Sequence, residues 1–222
     1  MAIEYEYKWL LGQAPDDDFL DRLLAETPPP EGHPPGLRAL LTQSSVYLDD
    51  DRFTLNAAGI SLSVLLNHGA GAATAWVVCK ETVGVGAGRR DAREVEHPID
   101  SAAIIEALDD PELPPVAYVR SRVTPGLLRP YASVTQHRRK LRTAPAQGVP
   151  LYLSLDRCVF KDPGGRVLAE THWLEIEHGH GEPQSLTGLD GWAERLTAWL
   201  GRTPTTQSKP GYAAELGGAR AV

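Results

Sequence analysis

Three pairs of glutamates spaced as Glu-x-Glu stand out: Glu4 and Glu6, Glu94 and Glu96, Glu175 and Glu177. Side chains of a β-strand point to opposite faces with period two, so each pair shares a face. The first pair lies in Ile3-Glu4-Tyr5-Glu6-Tyr7-Lys8-Trp9, which puts Glu4, Glu6 and Lys8 on one face and Tyr5, Tyr7 and Trp9 on the other. Two like charges about 7 Å apart along a strand are costly unless a cation lies between them. A divalent metal is the simplest such cation, and an all-oxygen carboxylate set is what Mg²⁺ or Mn²⁺ prefers. A solvated strand face would account for any one pair by itself. Three pairs, opposed by apolar faces, point instead to metal chemistry.

The basic residues obey the same parity. Arg138, Lys140 and Arg142 share one face, Lys80 shares a face with Trp76, and Tyr118, Arg120 and Arg122 share a face if Val116–Val123 is a strand. Rows of Arg and Lys on adjacent strands make a cradle for a chain of phosphates. The competing reading is a basic outer surface, and Arg139 must point away from its neighbours in either case. Between Glu112 and Asp156 there is no acidic residue, while the acids crowd toward both ends and the Asp49–Asp51 turn. If the ends meet the middle in space, a site of both signs results, suited to a phosphorylated small molecule. Nucleic acid is not the expected partner, because the net charge is −7 and the glutamates would repel a phosphate backbone. No Ser-His-Asp arrangement or nucleophilic cysteine stands out. His178 and His180 follow the last glutamate pair and read as a solvated strand end, with proton transfer as the alternative.

Those side chains need strands to hold them. Strand-like runs cover Ile3–Trp9, Leu37–Leu48, Ile60–Leu66, Ala73–Lys80, Arg89–Ile99, Val116–Val123, Val134–Thr143, Leu151–Lys161 and Val167–His178. Gly164-Gly165 marks a hairpin between the last two. Pro15 and Asp16–Asp18 open a helix with Phe19, Leu20, Leu23 and Leu24 on its apolar stripe. Further helices are expected over Ser101–Leu108 and Leu186–Leu200. Thr27–Gly36 is too proline-rich for regular structure, and the tail beyond Gly201 reads as loose. Polar residues on one face of strand after strand imply a closed barrel with a polar interior and helices over its apolar outside.

The 222 residues are 42% hydrophobic and 23% charged, the composition of a soluble globular protein. No apolar run approaches the roughly 20 residues that cross a membrane, and the acidic N-terminus lacks the basic-then-apolar order of a signal peptide. A cytoplasmic protein is expected, with Cys79 and Cys158 unpaired. Tryptophans on the Leu186–Leu200 helix, if exposed, would permit a homodimer.

The ordered set of motifs resembles the CYTH, or triphosphate tunnel metalloenzyme, superfamily. Glu4, Glu6 and Lys8 match its Glu-x-Glu-x-Lys element, and Tyr47-Leu48-Asp49-Asp50-Asp51 is similar to its tyrosine–aspartate turn. Trp76 to Lys80 resembles its lysine-ending strand, and Glu94 with Glu96 its central glutamates. Leu151 to Asp156 resembles its aspartate-ending strand, Glu175 with Glu177 its penultimate pair, and Ser208-Lys209 with Tyr212 its C-terminal element. The resemblance implies a mainly β, α+β fold: an eight-stranded antiparallel closed tunnel, charged inside, over residues 1–202. The tail, 203–222, would touch the tunnel through Ser208-Lys209. It also implies metal-dependent hydrolysis of an inorganic or organic triphosphate. Glu4, Glu6, Glu94, Glu96, Asp156, Glu175 and Glu177 would hold Mg²⁺ or Mn²⁺. Lys8, Lys80, Arg120, Arg122, Arg138, Lys140 and Lys209 would bind phosphates, and Glu4, Glu6, Lys8 and Glu177 would act at the reaction itself.

The chain also departs from that pattern. Ser63 and Leu65 stand where the family carries two tunnel arginines, the arginine before the central glutamates is displaced, with Ala92 in its place and Arg90 and Arg93 on either side, and Pro210-Gly211 interrupts the C-terminal element. Each lost charge-assisted contact is worth roughly 1.5–3 kcal/mol. Two readings follow: an active phosphohydrolase, or a divergent protein that binds a phosphorylated ligand without hydrolysis or acts on a less charged substrate.

Overall fold

In the computed structural model, which describes residues 2–68, 74–178 and 186–217, eight antiparallel strands close into a barrel. They are β1 (Ala2–Leu11), β2 (Pro35–Asp49), β3 (Ile60–His68), β4 (Thr74–Gly86), β5 (Arg89–Ile99), β6 (Arg129–Thr143), β7 (Leu151–Lys161) and β8 (Val167–His178). Around the barrel the order is β1-β5-β4-β3-β2-β6-β7-β8, and β8 returns to β1. Closure leaves no sheet edge unpaired. Ala87 and Gly88, both with positive φ, turn β4 tightly into β5 as a two-residue hairpin requires. A side chain at Gly88 would also strike Pro204, its Cβ lying 2.3 Å from the proline Cγ.

The alternation sorts charge inward and apolar groups outward. Outward-facing Tyr7, Trp9, Leu141, Leu153, Leu155, Leu174 and Ile176 pack against Leu23 of α1 (Phe19–Glu26) and Leu189, Trp192 and Leu196 of α5 (Thr187–Leu200). Leu48, Leu62, Val64, Val77 and Cys79 form a second outer core. It is covered by α3 (Ile104–Asp109), which follows a 3-10 turn at Ser101–Ala103, and by α4 (Pro114–Arg122). A short α2 (Thr54–Ala57) follows β2. The apolar faces of the helices and of the barrel thus bury each other, which leaves the interior to polar groups.

Three local expectations are corrected. Val116–Val123 is helix, not strand: Pro114 and Pro115 occupy its first turn, where the missing N–H costs nothing, and Val116 and Val119 bury one turn apart. The region beyond Gly201 is not uniformly loose, since α6 (Lys209–Leu216) forms there. Tryptophans of α5 are not exposed: Trp192 is fully buried and Trp199 packs against Phe19. That removes the stated ground for a dimer.

The third core lies inside the barrel. Tyr47, Ala132, Val134, Cys158, Phe160 and Trp173 sit on tunnel faces of their strands and enclose Ala213 of α6. Tyr212 packs edge-on to Phe160 and Trp173. α6 therefore plugs one end of the barrel with apolar groups. Cys79 and Cys158 are both unpaired thiols, and burial pushes each up to about 12.

Candidate active site

The remaining tunnel is a cavity of about 310 Å³. Its ionised lining is balanced: Glu4, Glu6, Glu94, Glu96, Glu175 and Glu177 face Lys8, Lys80, Arg90, Arg138, Lys140 and Lys209. Register brings them together. Glu6 lies beside Glu177 on one side and Arg90 on the other, Lys8 beside Glu175, and Lys80 beside Glu94. Lys80 donates to Glu4 at 2.6 Å and lies 3.2 Å from Glu94. Glu6 takes Lys8 at 2.6 Å and Arg90 at 2.7 Å, while Lys140 donates to Glu177 at 2.9 Å.

Toward the plugged end, Asp156 organises the cations. It has no exposed surface, and it accepts two parallel bonds from Arg138, at 2.7 and 2.6 Å, together with one from Lys209 at 2.6 Å. Lys209 also donates to Glu175 at 2.7 Å, and Arg138 reaches the same glutamate at 2.9 Å. The bidentate fork fixes the guanidinium in one orientation. Lys209 stands here because α6 begins here. Ser208 caps that helix by accepting from the Gly211 N–H at 3.1 Å, and Pro210 fits its first turn. Pro210-Gly211, read from sequence as an interruption, thus sets the helix start that delivers Lys209.

For Asp156, Glu175, Glu177, Lys80, Arg138 and Lys209, burial works against the charge and the partners outweigh it. Burial would raise Glu175, yet Lys209, Lys8 and Arg138 hold it well below the usual carboxylate range. Glu177 is depressed likewise by Lys140 and Arg138, and Asp156 by Arg138 and Lys209. On the cationic side, burial would lower Lys80 and Lys209, but Glu4 and Glu94 raise the first, and Asp156 and Glu175 the second.

Most of the residues expected from sequence therefore meet in one cavity. Arg120 and Arg122 do not. They belong to α4 outside the barrel, where Arg122 joins Tyr118, Arg93 and Glu81 in a surface network. Asp156 is absent from the cavity lining and orients the cations from behind the wall. Arg90, which the sequence reading noted beside the displaced arginine but did not assign to the site, is a tunnel cation. Its even spacing from Glu94 and Glu96 on β5 was the available signal. His178 is buried, edge-on to Tyr5, rather than solvated; His180 lies outside the described residues.

The glutamates supply the hard oxygen donors suited to Mg²⁺ or Mn²⁺. Among the described residues, however, no three carboxylate, histidine or cysteine groups gather in a geometry that could hold a metal. Glu4, Glu6, Glu94, Glu175 and Glu177 are each turned onto a lysine or arginine. The donor chemistry fits a divalent ion, and loading one would require those ammonium groups to turn away, for instance toward phosphate oxygens.

Comparison with solved structures fixes the architecture. A protein from Pyrococcus horikoshii aligns at 16% identity and a TM-score of 0.59, over 96% of this chain and 98% of its own. A candidate adenylate cyclase from Bacillus halodurans aligns at 16% and 0.57, over 94% and 97%. A candidate adenylyl cyclase from Hippeastrum, for which a dominant triphosphatase activity is described, aligns at 15% and 0.55, over 99% and 97%. The chain has the fold of these tunnel proteins. No family model matches it, and no curated protein matches it by sequence. The eight-stranded antiparallel tunnel expected from the motifs is thus the observed one, although the identity with each structure is low.

Proposed function

We propose that the chain is a divalent-metal-dependent phosphohydrolase that cleaves a triphosphate-type substrate inside the tunnel. The observation that carries this reading is the balanced lining, six carboxylates against six cations in one cavity. A polyphosphate entering alone would bring a large uncompensated negative charge into a confined space whose cations are already paired with carboxylates. Were Mg²⁺ or Mn²⁺ bound with it, the tunnel glutamates would hold the ion and the lysines and arginines would pair with phosphate oxygens. Such an ion supplies charge neutralisation on the phosphates and a more acidic water. Arg138, aimed by Asp156, and Lys209, aimed by Asp156 and Glu175, would hold phosphate oxygens at the plugged end. Lys8, Lys80, Arg90 and Lys140 would offset the negative charge that develops on the phosphates. The triphosphatase activity described for the Hippeastrum protein, on the same fold, supports the choice of reaction.

A second reading is binding without hydrolysis, favoured by the ion pairs that already occupy the glutamates. One experiment separates the two. Tripolyphosphate, thiamine triphosphate, ATP and diphosphate are presented with Mg²⁺, with Mn²⁺ and with EDTA, and both phosphate release and cyclic nucleotide formation are followed. Hydrolysis predicts metal-dependent phosphate release that is abolished in Glu4→Gln and in Glu177→Gln while circular dichroism stays native. Binding without turnover of any substrate would establish the second reading instead.

A further inference from the structure

The tunnel is not charged all round. Its ionised groups come from β1, β5, β6, β8, α6 and, on β4, Lys80, whereas β2 and β3 contribute Gln43, Ser45, Tyr47, Ser61, Ser63, Leu65 and Asn67. Register makes these one continuous patch: Gln43 pairs with Asn67, Ser45 with Leu65, and Tyr47 with Ser63. Val78 extends the patch onto β4, opposite Ser63, and Trp76 pairs with Leu65. Trp76 shares the face of Val78 and Lys80 and is half-buried.

We infer that this uncharged wall seats the organic part of the substrate, so the natural substrate is a polyphosphate ester of a flat, neutral heterocycle, such as a nucleoside, rather than inorganic triphosphate. The inference rests on the phosphohydrolase reading above and adds the specificity of the same site. Inorganic triphosphate carries anionic oxygens along its whole length, and those facing β2 and β3 would meet hydroxyls, amides and the Leu65 side chain but no cation. A neutral group loses nothing there.

The wall also has features that read such a group. The Gln43 amide donates to the Asn67 carbonyl oxygen at 2.6 Å, which ties the two amides side by side. The Gln43 carbonyl oxygen and the Asn67 amide N–H groups have no other hydrogen-bond partner among the described residues. They form an adjacent acceptor and donor, the complement of a heterocyclic edge that carries a donor beside an acceptor. Leu65 and Val78 offer apolar contact within the cavity, and Trp76, next along the same face of β4, lies outside its lining.

The test compares substrates on the full-length chain with Mg²⁺ or Mn²⁺. Initial rates of phosphate release are measured for ATP, UTP and inorganic tripolyphosphate, together with calorimetric binding of each. The wild type is expected to show a kcat/KM at least about tenfold higher for a nucleoside triphosphate than for tripolyphosphate, a ratio on the scale of one net hydrogen bond. Leu65→Arg should reverse the preference by giving the missing cation to tripolyphosphate. Gln43→Ala, a milder change near the mouth, should lower the nucleotide-to-tripolyphosphate ratio about tenfold, chiefly through KM. Equal or better turnover of tripolyphosphate, with both variants moving all substrates alike, would overturn the inference and leave the phosphohydrolase reading standing. If nothing is turned over, that reading fails, and binding decides the inference: tripolyphosphate bound as tightly as nucleotide overturns it, and nucleotide preference lost in Gln43→Ala sustains it.

Discussion

Asp156 shows how one residue can govern a site it does not enter. Its carboxylate has no exposed surface and ties Arg138 and Lys209 together through charge-assisted bonds. Asp156→Asn keeps the shape and removes the charge, which leaves Glu175 as the remaining anionic partner of both cations. Breaking a buried ion pair from one side costs about 3–5 kcal/mol, and urea denaturation should show a loss on that scale. The same variant should weaken tripolyphosphate binding, because Arg138 is no longer held in one orientation. A loss under about 1 kcal/mol would mean that the cluster is screened as a surface pair is. Much of the site was legible residue by residue, since period-two alternation places Glu4, Glu6, Lys8, Glu94, Glu96, Glu175 and Glu177 on inner faces whatever the barrel's details. Arg120 and Arg122 were misplaced because alternation cannot exclude a helix over so short a run, and Pro114-Pro115, a helix opening, carried the better signal. The ion-pair choices were not legible. Which lysine meets which glutamate depends on register, and register is set by pairs far apart in sequence.

At the scale of elements, α6 is both wall and lever. Its apolar side plugs the barrel, and its first residue supplies a buried lysine to the site. The sequence suggested contact through Ser208-Lys209 but not a helix, because Pro210 and Gly211 count against helix in a propensity reading. At a helix start they are tolerated, and Ser208 is a favoured cap. Tyr212, between Phe160 and Trp173, couples the two roles. Tyr212→Ala should destabilise by about 3 kcal/mol through the cavity it leaves. Lys209→Ala leaves that packing intact and should impair substrate binding more than packing. If thermal melts and phosphate-release kinetics show both variants losing stability and affinity in the same proportion, plug and ligand are not separable functions. The eight barrel strands, the helices α1, α3 and α5 and the Gly164-Gly165 turn were readable from pattern, because each is dictated locally by alternation, stripe or turn chemistry, whereas α4 was taken for a strand.

For the whole molecule, stability and chemistry share one charge balance, and its pH dependence has a definite sign. Asp156, Glu175 and Glu177 are held below their ordinary values of 3.8, 4.5 and 4.5 because neighbouring lysines and arginines outweigh burial. The unfolded chain therefore takes up protons at these groups before the folded chain does. Their stabilisation is complete above about pH 5 and is lost as pH falls through the ordinary carboxylate range and below it. Lys80 and Lys209 are raised above their ordinary 10.5, so their contribution is complete below that value and fades only as pH rises beyond it. The urea midpoint should accordingly be flat between about pH 7 and 9, decline slightly below about 6.5 as His33 and His172, both lowered by burial, resist charging in the folded chain, and fall steeply below about 4.5. In Asp156→Asn the acid limb should be shallower, because one of the depressed carboxylates is gone. A midpoint that rises on acidification would show that the carboxylates repel one another more than the cations hold them, and the tunnel would then be an anionic metal cage rather than a neutral exchange site. Added Mg²⁺ distinguishes the same two pictures at neutral pH. A cage binds the free ion and gains stability with it, whereas a neutral tunnel gains little until a polyphosphate is supplied together with the metal.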